Sequence, residues 1–481
     1  FSMENSEHLK SIIYDSLPIP AIPSFVFTPF ADCGVKKCML SAHSDSVGED
    51  CISLLERLVH QQFNSYFSRN SLLNPFQSGF RPGHSTATAL LKITDDIRLG
   101  MDRQQATVLA LLDFSNAFNT VDFEILLGIL RTINVSPTAM EWFRSYLCGR
   151  RQRIRLKDSF SSWADTEAGV PQGGVLSPLL FAVFINSISS FISSPYHLYA
   201  DDLQVYTQSH LHDLSAAIAK INDTLTTILS WSKTYGLTVN PLKTQVIIIG
   251  SHRLSARIDL SVLPPIIFDG IIIPYSNTVR NLGVIMDRCL SWTPQLNYVS
   301  RKLFAALGSL RRLQYFLPTS TKIQLVQSLL WPILDYADSC YLDLTEEQLN
   351  KLERLQNMCI RFVFGLRKYD HVSEFRSMLK WLPIRLRRNA HILSTLYSIL
   401  FNPTSPPYLK ERFKFRCETH DLHLRSSDNI FLSTPLSSTS FYKKSFTIYS
   451  VQLWNALPLS IRRSESLLSF KNKVKEYYLT L

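Results

Sequence analysis

The chain has 481 residues, 46% hydrophobic and 19% charged, which excludes a disordered polymer and, at about 100–200 residues per domain, leaves room for about two to four domains. Its formal net charge of +11 favours a polyanionic partner, and no apolar run approaches the ~18–20 residues needed to span a bilayer. Eight cysteines lie scattered with no Cys-x-x-Cys and no zinc-type Cys/His spacing, the pattern of free thiols in a reducing compartment.

In chain order, residues 1–50 lack periodicity and carry Pro18, Pro20, Pro23 and Pro29, so an extended or loosely attached segment is expected. Ile52–Phe67 reads as a helix with Leu54, Leu55, Leu58, Val59 and Phe63 on one face. A turn-rich stretch over Asn74–Thr86 leads to a helix capped by Ser85 and running to about Leu99. Val108–Phe114 reads as a buried strand holding Asp113 near its end, followed by helices over Phe123–Thr132 and Ala139–Leu147. Arg151 to Gly169 alternates like a hairpin, and Ser177–Phe191 is an apolar helix behind a Gly-rich turn. His197–Tyr206 is apolar on both sides of Asp201-Asp202, as in a hairpin with acids at its tip. Leu211–Tyr235 reads as a helix, and Thr244–Gly250, Ile266–Ile273 and Val279–Asp287 as strands. From Gln295 helices dominate, and the Ser/Thr/Pro clusters at 402–407 and 433–440 read as linkers. Lys351–Arg416 holds 14 Lys/Arg against four acids, a basic surface or a solvated face.

Three acids stand out as chemistry. Asp113 closes an apolar strand, and Asp201 and Asp202 sit side by side at a strand tip, where their mutual repulsion is tolerable once divalent cations neutralise it. Two Mg²⁺ ions about 3.5–4 Å apart would stabilise the attacking and leaving oxygens of an in-line phosphoryl displacement. An Asp-Asp pair alone fits a solvated turn better. Ala168–Pro178 supplies a Gly-rich turn in which Gly173 and Gly174 let backbone approach a ligand, and Gln172 offers both a donor and an acceptor. Lys243 could place a cation beside a phosphate.

Six ordered segments carry a resemblance: Gln77-Ser-Gly-Phe-Arg-Pro-Gly-His-Ser-Thr86, Leu112-Asp-Phe-Ser-Asn-Ala-Phe-Asn-Thr-Val-Asp122, Gly169–Pro178, Tyr199-Ala-Asp-Asp202, Gly236-Leu-Thr-Val-Asn-Pro-Leu-Lys-Thr244 and Asn281-Leu-Gly-Val-Ile-Met-Asp287. Together they resemble the reverse transcriptases of non-LTR (LINE-type, jockey/CR1-like) retrotransposons. The strong match covers roughly Leu54–Asp287; a weaker one continues through Trp381-Leu-Pro and Trp454-Asn-Ala-Leu-Pro458. The resemblance implies an α+β, right-hand polymerase: partial fingers over 51–110, a palm with an antiparallel sheet over 111–290, a helical thumb over 291–345 and a basic helical C-terminal region over 346–481. It implies that Asp113 and Asp201, with the backbone carbonyl of Phe114, ligate two Mg²⁺ ions (Mn²⁺ being the alternative ion), and that Asp202 completes the acidic set. Phe118 would be the steric gate against a ribose 2′-OH. Gln172 and Gly173 would meet the incoming nucleotide and template, and Lys243 the triphosphate. Leu282, Gly283 and Val284 would form the primer grip, and Arg81 belongs to the fingers motif. The implied partners are an RNA template (the element's own RNA), a DNA primer and dNTPs, with no membrane and no stable protein partner.

The chain departs from the family pattern at Asn116 and Asn119, where Lys and Asp are usual, and shows no Arg-Pro-Ile segment upstream of Leu54. A truncated product is therefore expected, without an endonuclease or a zinc knuckle. Asp335, Asp338 and Asp343 look too isolated in sequence for a ribonuclease H site. The leading expectation is RNA-directed DNA polymerisation. The alternatives are an impaired remnant that only binds nucleic acid, and an intron-type splicing helper. Nuclear or cytoplasmic action, and not secretion, is the expected location.

Overall fold

The computed structural model describes residues 46–418 and 430–480; the expectations for residues 1–45 fall outside them. Five strands form the central sheet. β1 (Ala106–Ser115) lies in the middle, paired antiparallel with the strand Asp202–Ser209 on one side and the strand Gln245–Ile249 on the other. The short strand Thr238–Val239 extends the second side at Phe114 and Ser115, and Tyr196–Tyr199 forms the outer edge beyond Asp202–Ser209.

β1 must bury both faces, which is why it reads as an unbroken apolar run. Alternate side chains divide between two cores. Val108, Ala110, Leu112 and Phe114 face a cluster with Phe181, Phe184, Ile221, Ile228 and Trp231, whereas Leu109 faces a second cluster with Leu90, Ile97, Tyr206, Trp292 and Leu303. The first core belongs to the helices Phe123–Thr132, Pro137–Leu147, Ser177–Asn186 and Leu214–Thr234; the second to α1 (Thr86–Asp102) and to the helices after residue 292. α1 starts where the sequence signals it: Ser85 and Thr88 form a reciprocal capping box.

Ile266–Ile273 is a hairpin and not one strand, turning at Asp269 and Gly270, both at positive φ. Val279–Asp287 is likewise a hairpin, Thr278–Asn281 against Val284–Asp287, turning at Leu282 (φ 41°) and Gly283 (φ 85°). The segments at 402–407 and 433–440 are docked, where linkers were expected. Ser405 is buried, and Ser438 N, Thr439 N and Thr439 Oγ1 all donate to the Asp102 carboxylate. Among the described residues no helix is long and apolar enough to cross a membrane. Cys148, Cys289, Cys340, Cys359 and Cys417 are free thiols.

Candidate active site

The register of β1 against its neighbour sets the site. Asp113 lies directly opposite Asp202, one step beyond the Leu112–Leu203 pair. Cross-strand partners share a face, so both carboxylates emerge on the side of the second core. Tyr199 pairs with Asp202, and Ala200-Asp201 turns the chain between them, with Ala200 in the left-handed region at φ 54°. A non-glycine residue there costs roughly 1–2 kcal/mol, so the turn is held by its surroundings.

One restraint is the motif before α1. Ser78 N donates to Leu198 O at 2.8 Å and Leu198 N to Phe76 O at 2.9 Å, laying this segment along the outer edge strand. A Cβ on Gly79 would lie 2.3 Å from Ala200 N, so only glycine fits against the turn that carries Asp201.

The three acids lie near enough to perturb one another. Burial, then the charges of Asp201 and Asp113, push the Asp202 carboxyl up to about 6. Burial and Asp113 also raise Asp201, against a lowering pull from Lys243. Asp113 Oδ2 is buried without a well-directed hydrogen bond and meets Lys243 Nζ only as an ion pair, at 3.0 Å. Lys243 is otherwise exposed, in a turn anchored where Asn240 N donates to Asp113 O at 3.0 Å. An all-oxygen donor set, mutual repulsion and a buried carboxylate oxygen met by an exposed lysine together fit a hard divalent cation.

Phe118 stacks on Phe181 with centroids 4.1 Å apart and meets Phe80 edge-on at 5.8 Å. Its loop is tied to the Gly-rich turn: Val170 N donates to Phe118 O, Gly169 N to Val121 O, and Gln172 Nε2 to Asn119 Oδ1 at 2.7 Å. The unusual Asn119 thus holds Gln172, and Asn116 adopts φ 50°, a conformation asparagine tolerates. A Cβ on Gly173 would touch nothing within 4 Å, which leaves its backbone open to a ligand.

Other predicted site residues have different surroundings. Arg81 donates to the carbonyls of Asn74 (2.8 Å) and Gln77 (2.9 Å), so its guanidinium braces its own loop; burial lowers its pKa. The Val284 side chain is 1% exposed and sits in the second core, while its backbone pairs with Asn281. Phe114 is also core, its ring edge-on to Trp231. At the tip of that hairpin Leu282 O accepts from Tyr336 OH at 2.7 Å, and the Tyr336 ring would meet a Cβ on Gly283. Asn281 Nδ2 donates to Gln204 Oε1 at 2.7 Å, which fastens the hairpin to the strand that carries Asp202.

Two residues that sequence reasoning passed over brace this region. Tyr336 reaches Leu282 and Thr86 from a position 54 and 250 residues away. Glu56, buried on the first described helix, accepts from Tyr146 OH at 2.6 Å and from Val175 N at 2.5 Å, pinning the Gly-rich turn. Among the described residues, the one group of three metal-binding side chains with ligand atoms within 4.8 Å of one another lies elsewhere: Asp335, Asp338 and His391. Those acids, isolated in sequence, do converge, but Arg387 already pairs with Asp335 and His391 hydrogen-bonds with Asp338.

A reverse transcriptase (RNA-dependent DNA polymerase) family profile matches residues 51–286. The probable RNA-directed DNA polymerase from transposon BS of Drosophila melanogaster is 28% identical over 64% of this chain and 34% of its own length. That from transposon X-element of the same fly is 25% identical over 70% of this chain and 37% of its own length. The chain thus spans about a third of the length of these relatives. A solved telomerase from Candida albicans, in complex with a fragment of telomeric RNA, overlays 89% of this chain and 58% of its own at 12% identity and a TM-score of 0.36. Residues 51–286 thus match the reverse transcriptase family, and about two thirds of the chain is similar to polymerases from fly transposons.

Proposed function

We propose that the chain is an RNA-directed DNA polymerase that joins dNTPs to a primer 3′-OH on an RNA template. The observation that carries this reading is the placement of Asp113 opposite Asp202 with Asp201 at the adjoining turn. In this reading residues 51–110 are partial fingers, 111–290 the palm, 291–345 the thumb and 346–481 a basic C-terminal region. Asp113, Asp201 and the Phe114 carbonyl would hold two divalent cations, most simply Mg²⁺, with Asp202 as the third carboxylate. Those ions supply charge neutralisation at the reacting phosphate and at both oxygens of the displacement.

The chain's own residues do the rest. The primer 3′-hydroxyl gives up its proton to solvent, its oxygen bonds to the α-phosphorus, and the bond from the α-phosphorus to the pyrophosphate oxygen breaks. With Asp113 committed to a cation, the Lys243 ammonium would turn to the triphosphate, where it could protonate the leaving pyrophosphate. Phe118, backed by Phe181, blocks a ribose 2′-OH. Gln172 and the open Gly173 backbone face the nascent pair, and the hairpin tip at Leu282-Gly283, braced by Tyr336, supports the primer end. A chain copying element RNA onto chromosomal primers would work in the nucleus.

Primer extension on poly(rA)/oligo(dT) with Mg²⁺ tests the proposal. Wild-type protein should extend the primer and Asp201→Asn should reduce extension at least about 10³-fold while RNA binding persists. Equal extension by both proteins, or none by either, contradicts it.

A further inference from the structure

We propose that the hairpin over residues 151–165 is a docking arm for single-stranded RNA, the template by the polymerase reading on which this identification of the strand rests. The arm is built from Arg151–Gln152 paired with Ala164–Asp165, and Arg155–Leu156 paired with Ser159–Phe160. Every residue in it is exposed, including Ile154 (75%), Leu156 (74%), Trp163 (57%) and Phe160 (49%). Such a hairpin buries none of its apolar side chains, and an isolated two-stranded ribbon is marginal in water. Large apolar groups held in solvent without a folding role mark a contact surface.

The chemistry of that surface selects the occupant. Arg150, Arg151, Arg153, Arg155 and Lys157 face only Asp158 and Asp165 within the arm, and Arg151 already pairs with Asp165 at 2.8 Å. The Arg153 guanidinium lies 4.0 Å from the Phe160 ring centroid and 4.5 Å from that of Trp163. Two exposed rings bridged by a guanidinium form a ladder on which unpaired bases can stack, while the remaining cations meet the phosphates. A duplex offers no free base faces to such a ladder. Thr166 N donates to Arg150 O at 2.9 Å, closing the base of the arm only a few residues before the turn of Gln172 and Gly173. A strand held on the arm therefore passes close to the site.

Fluorescence anisotropy of the full chain, without Mg²⁺ or dNTP, tests this, using a labelled single-stranded oligo(U) of about 12 nucleotides and an RNA–DNA hybrid of the same length. The double variant Phe160→Ala/Trp163→Ala should bind the single strand at least about ten-fold more weakly, with hybrid affinity unchanged and melting temperature equal to wild type. Phe160→Tyr/Trp163→Tyr should restore binding. Unchanged single-strand affinity overturns the proposal. So does an equal loss on both ligands, and so does a change in oligomeric state alone, which would mark a protein interface. Because no nucleotide is added, a chain that fails to polymerise still gives a clear answer, and a failed arm leaves the Asp201→Asn test untouched.

Discussion

At the scale of single residues, Phe118 and His197 show opposite uses of burial. Phe118 is positioned by a stacked neighbour and by a loop pinned to the Gly-rich turn, which holds its ring in place for the sugar-gating role proposed for it. Phe118→Val should raise ribonucleotide incorporation relative to dNTP by about ten-fold or more, read from single-nucleotide kcat/KM values. Losing the stack should also cost roughly 0.5–1.5 kcal/mol beyond the lost apolar burial, visible in thermal unfolding. His197 is a buried residue of the outer strand itself, bonded to Ser78 Oγ at 2.9 Å, and burial holds its pKa down at about 3 against an ordinary 6.5. The folded ring stays neutral while the unfolded one takes a proton. Stability from this group is therefore whole above pH 6.5 and declines as the pH falls toward 3. Denaturant titrations should show a shallower acid loss for His197→Gln than for wild type over that window.

At the scale of elements, the hairpin tip bearing Asp201 is aligned by a neighbouring backbone. Gly79→Ala should push that tip away, since the new methyl would also lie 2.7 Å from Ala200 Cα. Primer extension should fall about 10²-fold with the fold intact by circular dichroism, because a displacement near 1 Å is enough to misalign reacting groups. The strand ends that carry Asp113 and Asp201-Asp202 were legible in sequence, because apolar runs bracket them. The two hairpins at 266–273 and 278–287 were not. Asp269-Gly270 is a readable turn signal, but it is submerged in a continuous isoleucine run. At Leu282-Gly283 a leucine at φ 41° gives no signal at all. Tyr336 and Glu56 act across tens to hundreds of residues, and no local pattern encodes such a contact. Arg81 was visible as a motif member, but only its geometry reveals that it serves its own loop.

At the scale of the whole molecule, the segment after residue 400 returns to the acidic face of α1. Arg412 bridges Asp95 (3.5 Å) and Asp96 (2.5 Å), and Asp95, only 2% exposed, also accepts from Phe446 N, Thr447 N and Thr447 Oγ1. Tyr408 joins the same junction: its hydroxyl hydrogen-bonds with Ser78 Oγ at 3.0 Å, and its ring packs near Phe76 and His197. The C-terminal region is thereby part of the scaffold behind the Gln77–Gly79 segment. Removing one member of a buried ion pair strands the other charge. Arg412→Leu should lower the unfolding free energy by about 3–5 kcal/mol and weaken extension as well, measured by urea titration and primer extension on the same preparation.

Whether catalytic cations sit on Asp113 and Asp201 is read directly by counting bound Mn²⁺ with electron paramagnetic resonance. With primer, RNA template and a non-hydrolysable dNTP analogue, the Mn²⁺ bound by wild-type protein should be lost in Asp113→Asn and retained in His391→Gln. Retention in Asp113→Asn together with loss in His391→Gln would contradict the account and move the metal to the Asp335–Asp338–His391 cluster.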